Sequence, residues 1–151
     1  MNRLATYNPE ITKRYDFMME SVQALGELAW NMIKAEQVFV RTKPDSTLVT
    51  NVDETLNDVF IEQADALGDI VWGEERSNAE KNNVRLAAHQ WLWLIDPIDG
   101  TKGFWRSYMN KRFSENTSSI MVTGFAPGET TPTMSVIHNP FQDQEVTISA
   151  Y

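Results

Sequence analysis

The 151-residue chain contains no cysteine, which removes disulfides, thiolate nucleophiles and cysteine-based zinc or iron–sulfur sites from consideration. That absence is compatible with a reducing compartment, and a cytoplasmic setting is expected. Positive charge is scarce: 13 Lys and Arg stand against 21 Asp and Glu, giving a net charge of −8. No Lys/Arg cluster offsets the excess, so neither a nucleic-acid polymer nor an anionic membrane surface is an expected partner. A small anionic substrate remains compatible if bound cations invert the local charge. No apolar run is long enough to span a bilayer, and Met1 to Glu10 lack the charged-then-apolar order of a signal peptide. Repeats, low-complexity tracts and linkers are missing too, so residues 1–151 read as one domain. What remains is globular in character, 42% hydrophobic and 23% charged, at a length sufficient for a substantial core.

Periodicity supplies the elements. Met18, Val22, Leu25, Ala29 and Met32 step by four and three, which predicts an amphipathic helix from Tyr15 to Glu36. Gly26 inside it reads as a close-packing point, and Met18 and Met32 as core. Val38 to Val40 reads as a short strand and Arg41 to Val49 as a polar connection. Thr50 to Asp53 fits a capping box opening a second helix, with Val52, Leu56, Val59, Phe60 and Leu67 as its stripe and Gly68 closing it. Asp69 to Trp72 is a short strand, and Ser77 to Gln90 a polar loop with a turn of helix. Ser118 to Thr123, Thr133 to His138 and the run from Glu145 are β-rich. The fold class expected is α+β, with two N-terminal helices packed on a mainly antiparallel sheet. An exposed last strand ought to pair, which predicts a homodimer or a partner chain at the C-terminal edge.

The most informative stretch is Trp91-Leu92-Trp93-Leu94-Ile95-Asp96-Pro97-Ile98-Asp99-Gly100-Thr101. Its five leading apolar residues read as a strand buried on both faces, which delivers Asp96 and Asp99 to its C-terminal end. Carboxylates at a core edge are costly unless a cation or donor compensates them. Three separated segments place acids at element boundaries: Asp53, then Glu74 and Glu75, then Asp96 and Asp99. Asp96 can bridge two hard cations while Glu74 and Asp99 each serve one. Two such ions activate a water on one side of a phosphoryl group and stabilise the leaving oxygen on the other. The amides of Gly100 and Thr101 suit a phosphate if a short helix starts there, and a Thr101 hydroxyl bonded to Asp53 can orient the attacking water. Taken singly, each piece has a blander reading. Glu74 and Glu75 form a solvated pair, Asp53 a carboxylate favoured by a helix dipole, Thr101 a cap, and Asp99-Gly100 a turn. His89 and His138 read as ordinary polar or core histidines. Only the order of all three segments favours the metal site.

Lys43-Pro44-Asp45 with Leu48 to Asp53, then Gly73-Glu74-Glu75, then Trp93 to Thr101, resembles the inositol monophosphatase superfamily of magnesium-dependent, lithium-sensitive phosphatases. The string from Asp96 to Thr101 is a highly specific signature, and weaker similarity at Ser118-Ser119-Ile120 and Val136 to Pro140 extends the match over most of the chain. The resemblance implies a phosphomonoesterase using two or three magnesium ions. Glu74, Asp96 and the Ile98 carbonyl would bind the first metal, Asp96 and Asp99 the second. Thr101 with Asp53 would activate the water, and the Gly100 and Thr101 amides would hold the phosphate. Glu75 would act through a metal-bound water, while Lys43 reads as a surface lysine able to approach the cleft. The family is roughly twice this length as the resemblance implies, with a second domain supplying a further aspartate. No later tryptophan-aspartate motif occurs here, so residues 1–151 are expected to be the metal-binding N-terminal domain, with Tyr151 near the handover. Lys102-Gly103-Phe104 looks more like the nucleoside 3′,5′-bisphosphate or histidinol-phosphate phosphatases than the inositol enzymes. The substrate expected is a small phosphorylated metabolite, inositol monophosphate-like or a nucleoside 3′,5′-bisphosphate. The alternative is a truncated, non-catalytic metal- or phosphate-binding module that needs a partner chain.

Overall fold

The computed structural model describes residues 8–76, 89–142 and 146–150. Most of the loop expected between Ser77 and Gln90, residues 77–88, lies outside them, as does Tyr151. The first helix, α1, spans Pro9–Lys34 and begins six residues before the expected Tyr15. Asn8 explains the difference: its side chain accepts the Glu10 amide at 3.0 Å and Pro9 supplies a preset first turn. Met18, Val22, Leu25 and Ala29 are fully buried on its inner face, and Met32 is partly buried against the core. At Gly26 an added Cβ would sit 2.8 Å from Pro140 Cβ and 2.9 Å from His138 Nε2, so the helix touches the chain behind it more closely than a side chain permits.

The stretch expected as a strand followed by a polar connection is a small hairpin. Strand β1, Val40–Thr42, pairs antiparallel with β2, Leu48–Thr50. Asp45 builds the turn, its Oδ1 accepting from the amide (3.0 Å) and hydroxyl (2.7 Å) of Thr47, while Ser46 takes a left-handed φ of 70°. Helix α2, Asn51–Asp65, follows directly with the capping box expected of Thr50 and Asp53. Gly68, at φ 74°, completes its exit.

Five further strands form one sheet: β3 Ile70–Gly73, β4 Leu92–Asp99, β5 Ser119–Phe125, β6 Met134–Asn139 and β7 Val146–Ala150, in the spatial order β3-β4-β5-β6-β7. Only β3 and β4 are parallel; the other pairs are antiparallel. A nine-residue helix, α3 Thr101–Met109, leaves the end of β4. Helix α2 packs on β3 and β4 and α1 on β5 and β6, so both cover the same face. The expected α+β arrangement is therefore present.

Burial of β4 on both faces is not. Trp93 and Ile95 point into the helical layer and are buried, whereas Leu92, Leu94 and Asp96 are half-buried on the opposite face. The run of apolar residues suits a strand enclosed by helices on two sides, but both long helices here lie on one. No helix among the described residues is long and apolar enough to cross a membrane.

Candidate phosphate and metal site

The site begins with the parallel pair. Gly73 of β3 stands beside Ile95 of β4, and the Glu74 amide donates to the Ile95 carbonyl at 3.0 Å. That bond sets Glu74 next to Asp96. Beyond Asp96 the pairing of β4 with β5 shifts: Asp96 faces Met121 and Asp99 faces Ser119, three steps on β4 against two on β5. One extra residue is accommodated at Pro97-Ile98, a β-bulge, the kind of position where an inner strand tolerates a residue without an N–H. In a regular strand, residues three apart point to opposite faces. The extra residue brings Asp99 round to the face of Asp96 while Ile98 stays buried in the core.

Gly100 then turns the chain with φ 85° and ψ 36°, a left-handed conformation suited to glycine, and starts α3. Its carbonyl accepts from the amides of Gly103 (2.8 Å) and Phe104 (3.1 Å) and from Ser118 Oγ (3.0 Å). No side chain caps the first turn of α3.

Asp53, buried at the start of α2, accepts from the Thr50 amide (2.8 Å) and hydroxyl through Oδ2. The Thr101 hydroxyl lies 2.9 Å from Asp53 Oδ1 and 3.0 Å from the Ile98 carbonyl, so its single hydrogen is shared between them. The Ile98 carbonyl, expected to face a cation, thus accepts the Thr101 hydroxyl. Burial raises the Asp53 pKa above the usual carboxylate value; the hydrogen bonds from Thr50 and Thr101 oppose that rise and the Glu75 charge adds to it.

Asp96 is the most perturbed acid. Its pKa is raised to about 7, first by burial, then by the negative charge of Glu74 and a hydrogen bond shared with it, then by Asp99 and Asp53. Its Oδ1 is buried with no hydrogen-bond partner. An orphaned carboxylate oxygen facing three other acids is a place that gains from positive charge, and carboxylates with a backbone carbonyl are the donor set a hard divalent cation takes. The residues present thus fit magnesium in chemistry. Among the described residues, however, no three His, Asp or Glu side chains are gathered into a ligating group.

Part of the reason is Lys43. Read from sequence as a surface lysine, it is instead mostly buried, with Nζ 2.7 Å from Glu75 Oε1 and 3.3 Å from Glu74 Oε1. Burial works against its charge, but the bonds and attraction from Glu75 and Glu74 outweigh it and raise its pKa. Glu74 stays half-exposed, whereas Glu75, expected to act through a metal-bound water, is buried against Lys43. Glu74 and Asp96 line an open depression of about 520 Å³ whose floor includes Trp72, Leu94 and Met121.

Two positioning residues escaped the sequence reading. Asn57, fully buried on α2, donates to the Arg76 carbonyl at 3.1 Å and clamps the turn that presents Glu74 and Glu75. Gly73 has no room for a side chain because Asn57 and the Arg76 carbonyl fill the space. The available signal was an amide beside Leu56 on the apolar stripe of α2. Ser118, named from sequence only within the weak similarity at Ser118-Ser119-Ile120, fastens the Gly100 turn, a role that similarity did not assign. His138 is buried in the core with Nδ1 2.7 Å from Thr147 Oγ1, and His89 is exposed.

Comparison with solved structures places this geometry in a known fold. An IMPase of Thermotoga maritima superposes with a TM-score of 0.67 at 22% identity, over 91% of this chain and 48% of that one. A staphylococcal IMPase-I complexed with products gives 0.66 at 21% identity, over 90% and 47%. These likenesses define the α+β class as that of the inositol monophosphatases. The chain belongs to the inositol monophosphatase family, whose sequence profile matches residues 10–150. It is also 28% identical over 149 residues to the 3′(2′),5′-bisphosphate nucleotidase CysQ of Buchnera aphidicola subsp. Acyrthosiphon pisum, covering 95% of this chain and 51% of that protein. The chain spans about half the length of the relatives it matches.

Proposed function

We propose that this domain carries the metal-binding half of a magnesium-dependent phosphomonoesterase site acting on a small phosphate ester. The observation that carries the reading is the meeting, at one end of β3 and β4, of Glu74, Asp96 and Asp99 with the Asp53–Thr101 pair and the uncapped start of α3. Glu74, Asp96 and the Ile98 carbonyl are assigned to one magnesium and Asp96 and Asp99 to a second, with two or three ions in the complete site. Bound there, magnesium supplies charge for the phosphoryl oxygens and acidifies water. Lys43 sits beside these groups, paired with Glu75 and Glu74, and offsets part of their negative charge.

The chain's own residues account for the rest. The Gly100 and Thr101 amides at the start of α3 receive the phosphate. Thr101 Oγ1 accepts a hydrogen bond from the attacking water and directs its own hydrogen to Asp53, whose raised proton affinity suits a base. Water attacks phosphorus in line, the ester oxygen leaves as the alcohol with a proton, and no phosphoenzyme forms. CysQ similarity and Lys102-Gly103-Phe104 favour a nucleoside 3′,5′-bisphosphate, with inositol monophosphate as the competing substrate. Phosphate release from both compounds, with and without Mg²⁺ and Li⁺, tests this. The expected result is magnesium-dependent, lithium-inhibited release that falls at least 100-fold in Asp96→Asn. No release, together with unchanged Mg²⁺ affinity in Asp96→Asn, overturns it.

A second reading has its own support. Among the described residues, β7 has one neighbouring strand in the sheet. On this reading it is a non-catalytic metal- or phosphate-binding module that pairs with itself or another chain along β7. Thermal stabilisation by Mg²⁺ without turnover, and a dimer by light scattering, favour it; turnover by the monomer rejects it. A cytoplasmic setting is part of the proposal and is checked by cell fractionation.

A further inference from the structure

One face of α3 has no part in the chemistry above. Gly103, Arg106, Ser107 and Asn110 are spaced as one stripe of a helix, yet the stripe is polar where a packed helix face is ordinarily apolar. It looks onto the returning segment 112–117 across a cleft of about 340 Å³, within the range of small-molecule sites. The cleft is rich in donors. Arg106 and Arg112 both line it, and among the described residues neither stands within ion-pairing distance of a carboxylate, in a chain with eight more acids than bases. Hydroxyls come from Ser107, Ser114 and Thr117; Glu115 is the one acid on the rim.

Asn116 supplies a second observation. It lines the cleft and is 97% buried, given its 3% exposure. Its Oδ1 accepts the Ser118 amide at 2.6 Å, which settles the amide orientation, and its carbonyl is bonded by Asn139 and Gln142. The remaining group, Nδ2, is a buried donor with no partner. A buried unpaired amide donor is costly unless an acceptor meets it. Two guanidinium groups, several hydroxyls and this amide all call for acceptor oxygens, and Arg forks match tetrahedral oxyanions in particular.

We propose that the cleft between α3 and residues 112–117 is a binding site for a phosphate-class oxyanion, separate from the carboxylate cluster. It does not depend on phosphatase activity, so its test uses protein held in EDTA, where metal-assisted phosphate binding is suppressed. Inorganic phosphate is titrated against the whole chain and followed by backbone amide NMR, with chloride at matched ionic strength as control. Saturable shifts centred on residues 103–117 are expected. The double variant Arg106→Gln/Arg112→Gln, altered only at exposed positions, should weaken binding at least tenfold. Asn116→Asp keeps the Ser118 bond but replaces the free donor by a negative oxygen, and should weaken it similarly. Glycerol 2-phosphate distinguishes the source of the anion: tighter binding than inorganic phosphate assigns a metabolite's phosphate group, and weaker binding assigns the free ion. Shifts that do not saturate, that centre on Gly100 and Thr101, or that persist unchanged in the double arginine variant overturn the proposal.

Discussion

Two aspartates, Asp69 buried and Asp96 half-buried, bracket the same pair of parallel strands and have opposite surroundings. Asp69, just before β3, accepts hydrogen bonds from Arg14 Nη2 (3.0 Å to Oδ1) and from the Trp93 indole N–H (3.0 Å to Oδ2), with Arg14 Nε at ion-pair distance, 2.9 Å from Oδ2. Asp96, at the far end of β4, faces Glu74, Asp99 and Asp53 and keeps an unpartnered oxygen. Both lose hydration; only one is repaid within the chain. The supplied acid ties α1 to the sheet. The unsupplied acid is held in a state that a cation would relieve.

The largest test of this contrast is removal of each acid. Asp69→Ala leaves the buried Arg14 with only the exposed Glu10, 3.9 Å away, as an acidic partner and should cost about 3 kcal/mol, whereas Asp96→Asn should leave stability unchanged or increased in EDTA. Urea unfolding measures both, and equal losses erase the distinction. Next is cation binding: Mg²⁺ at about 100 times its dissociation constant should add about 2.7 kcal/mol to the wild type and much less to Asp96→Asn. A thermal shift that is the same in both proteins places the ion elsewhere.

A smaller effect follows from pH, since Asp96 is partly exposed and water screens its interactions. Its folded pKa of about 7 lies above the usual carboxylate value of 3.8, so between these the folded state keeps a proton that the unfolded state releases. The contribution is full below the lower value and disappears as pH rises through 7. The urea midpoint of the metal-free protein should therefore fall more steeply from pH 5 to pH 8 in the wild type than in Asp96→Asn; parallel profiles contradict the assignment. Trp93→Phe is the mildest probe. It removes one of the donors to Asp69 and should cost about 1 kcal/mol, with no change in Mg²⁺ affinity.

Where the determinants are local, the sequence was readable. The Thr50–Asp53 capping box and the string from Asp96 to Thr101 each lie within a few residues, and each has a counterpart in the structure. Distance along the chain is what hid the rest. Lys43 reaches Glu75, 32 positions away, only because the β1–β2 hairpin carries it there. Asn57 clamps the turn at Arg76, 19 positions on. The faces of β4 could not be judged from its own residues, because a row of apolar side chains is the same whether one or two layers cover it; the placement of α1 and α2 decides. The start of α1 was legible in Asn8-Pro9, but apolar spacing draws the eye inward to Met18 and away from the cap.

The bulge at Pro97-Ile98 makes the count of residues as much a part of this protein's chemistry as their identity. Were the same residues paired regularly with β5, without the bulge, every carboxylate would remain in the sequence, yet the last acid of the motif would turn to the face opposite Asp96. An inventory of acidic side chains would not detect the damage. Removing one of the two residues between Asp96 and Asp99 should instead keep both acids on one face, because two steps on β4 then meet two on β5.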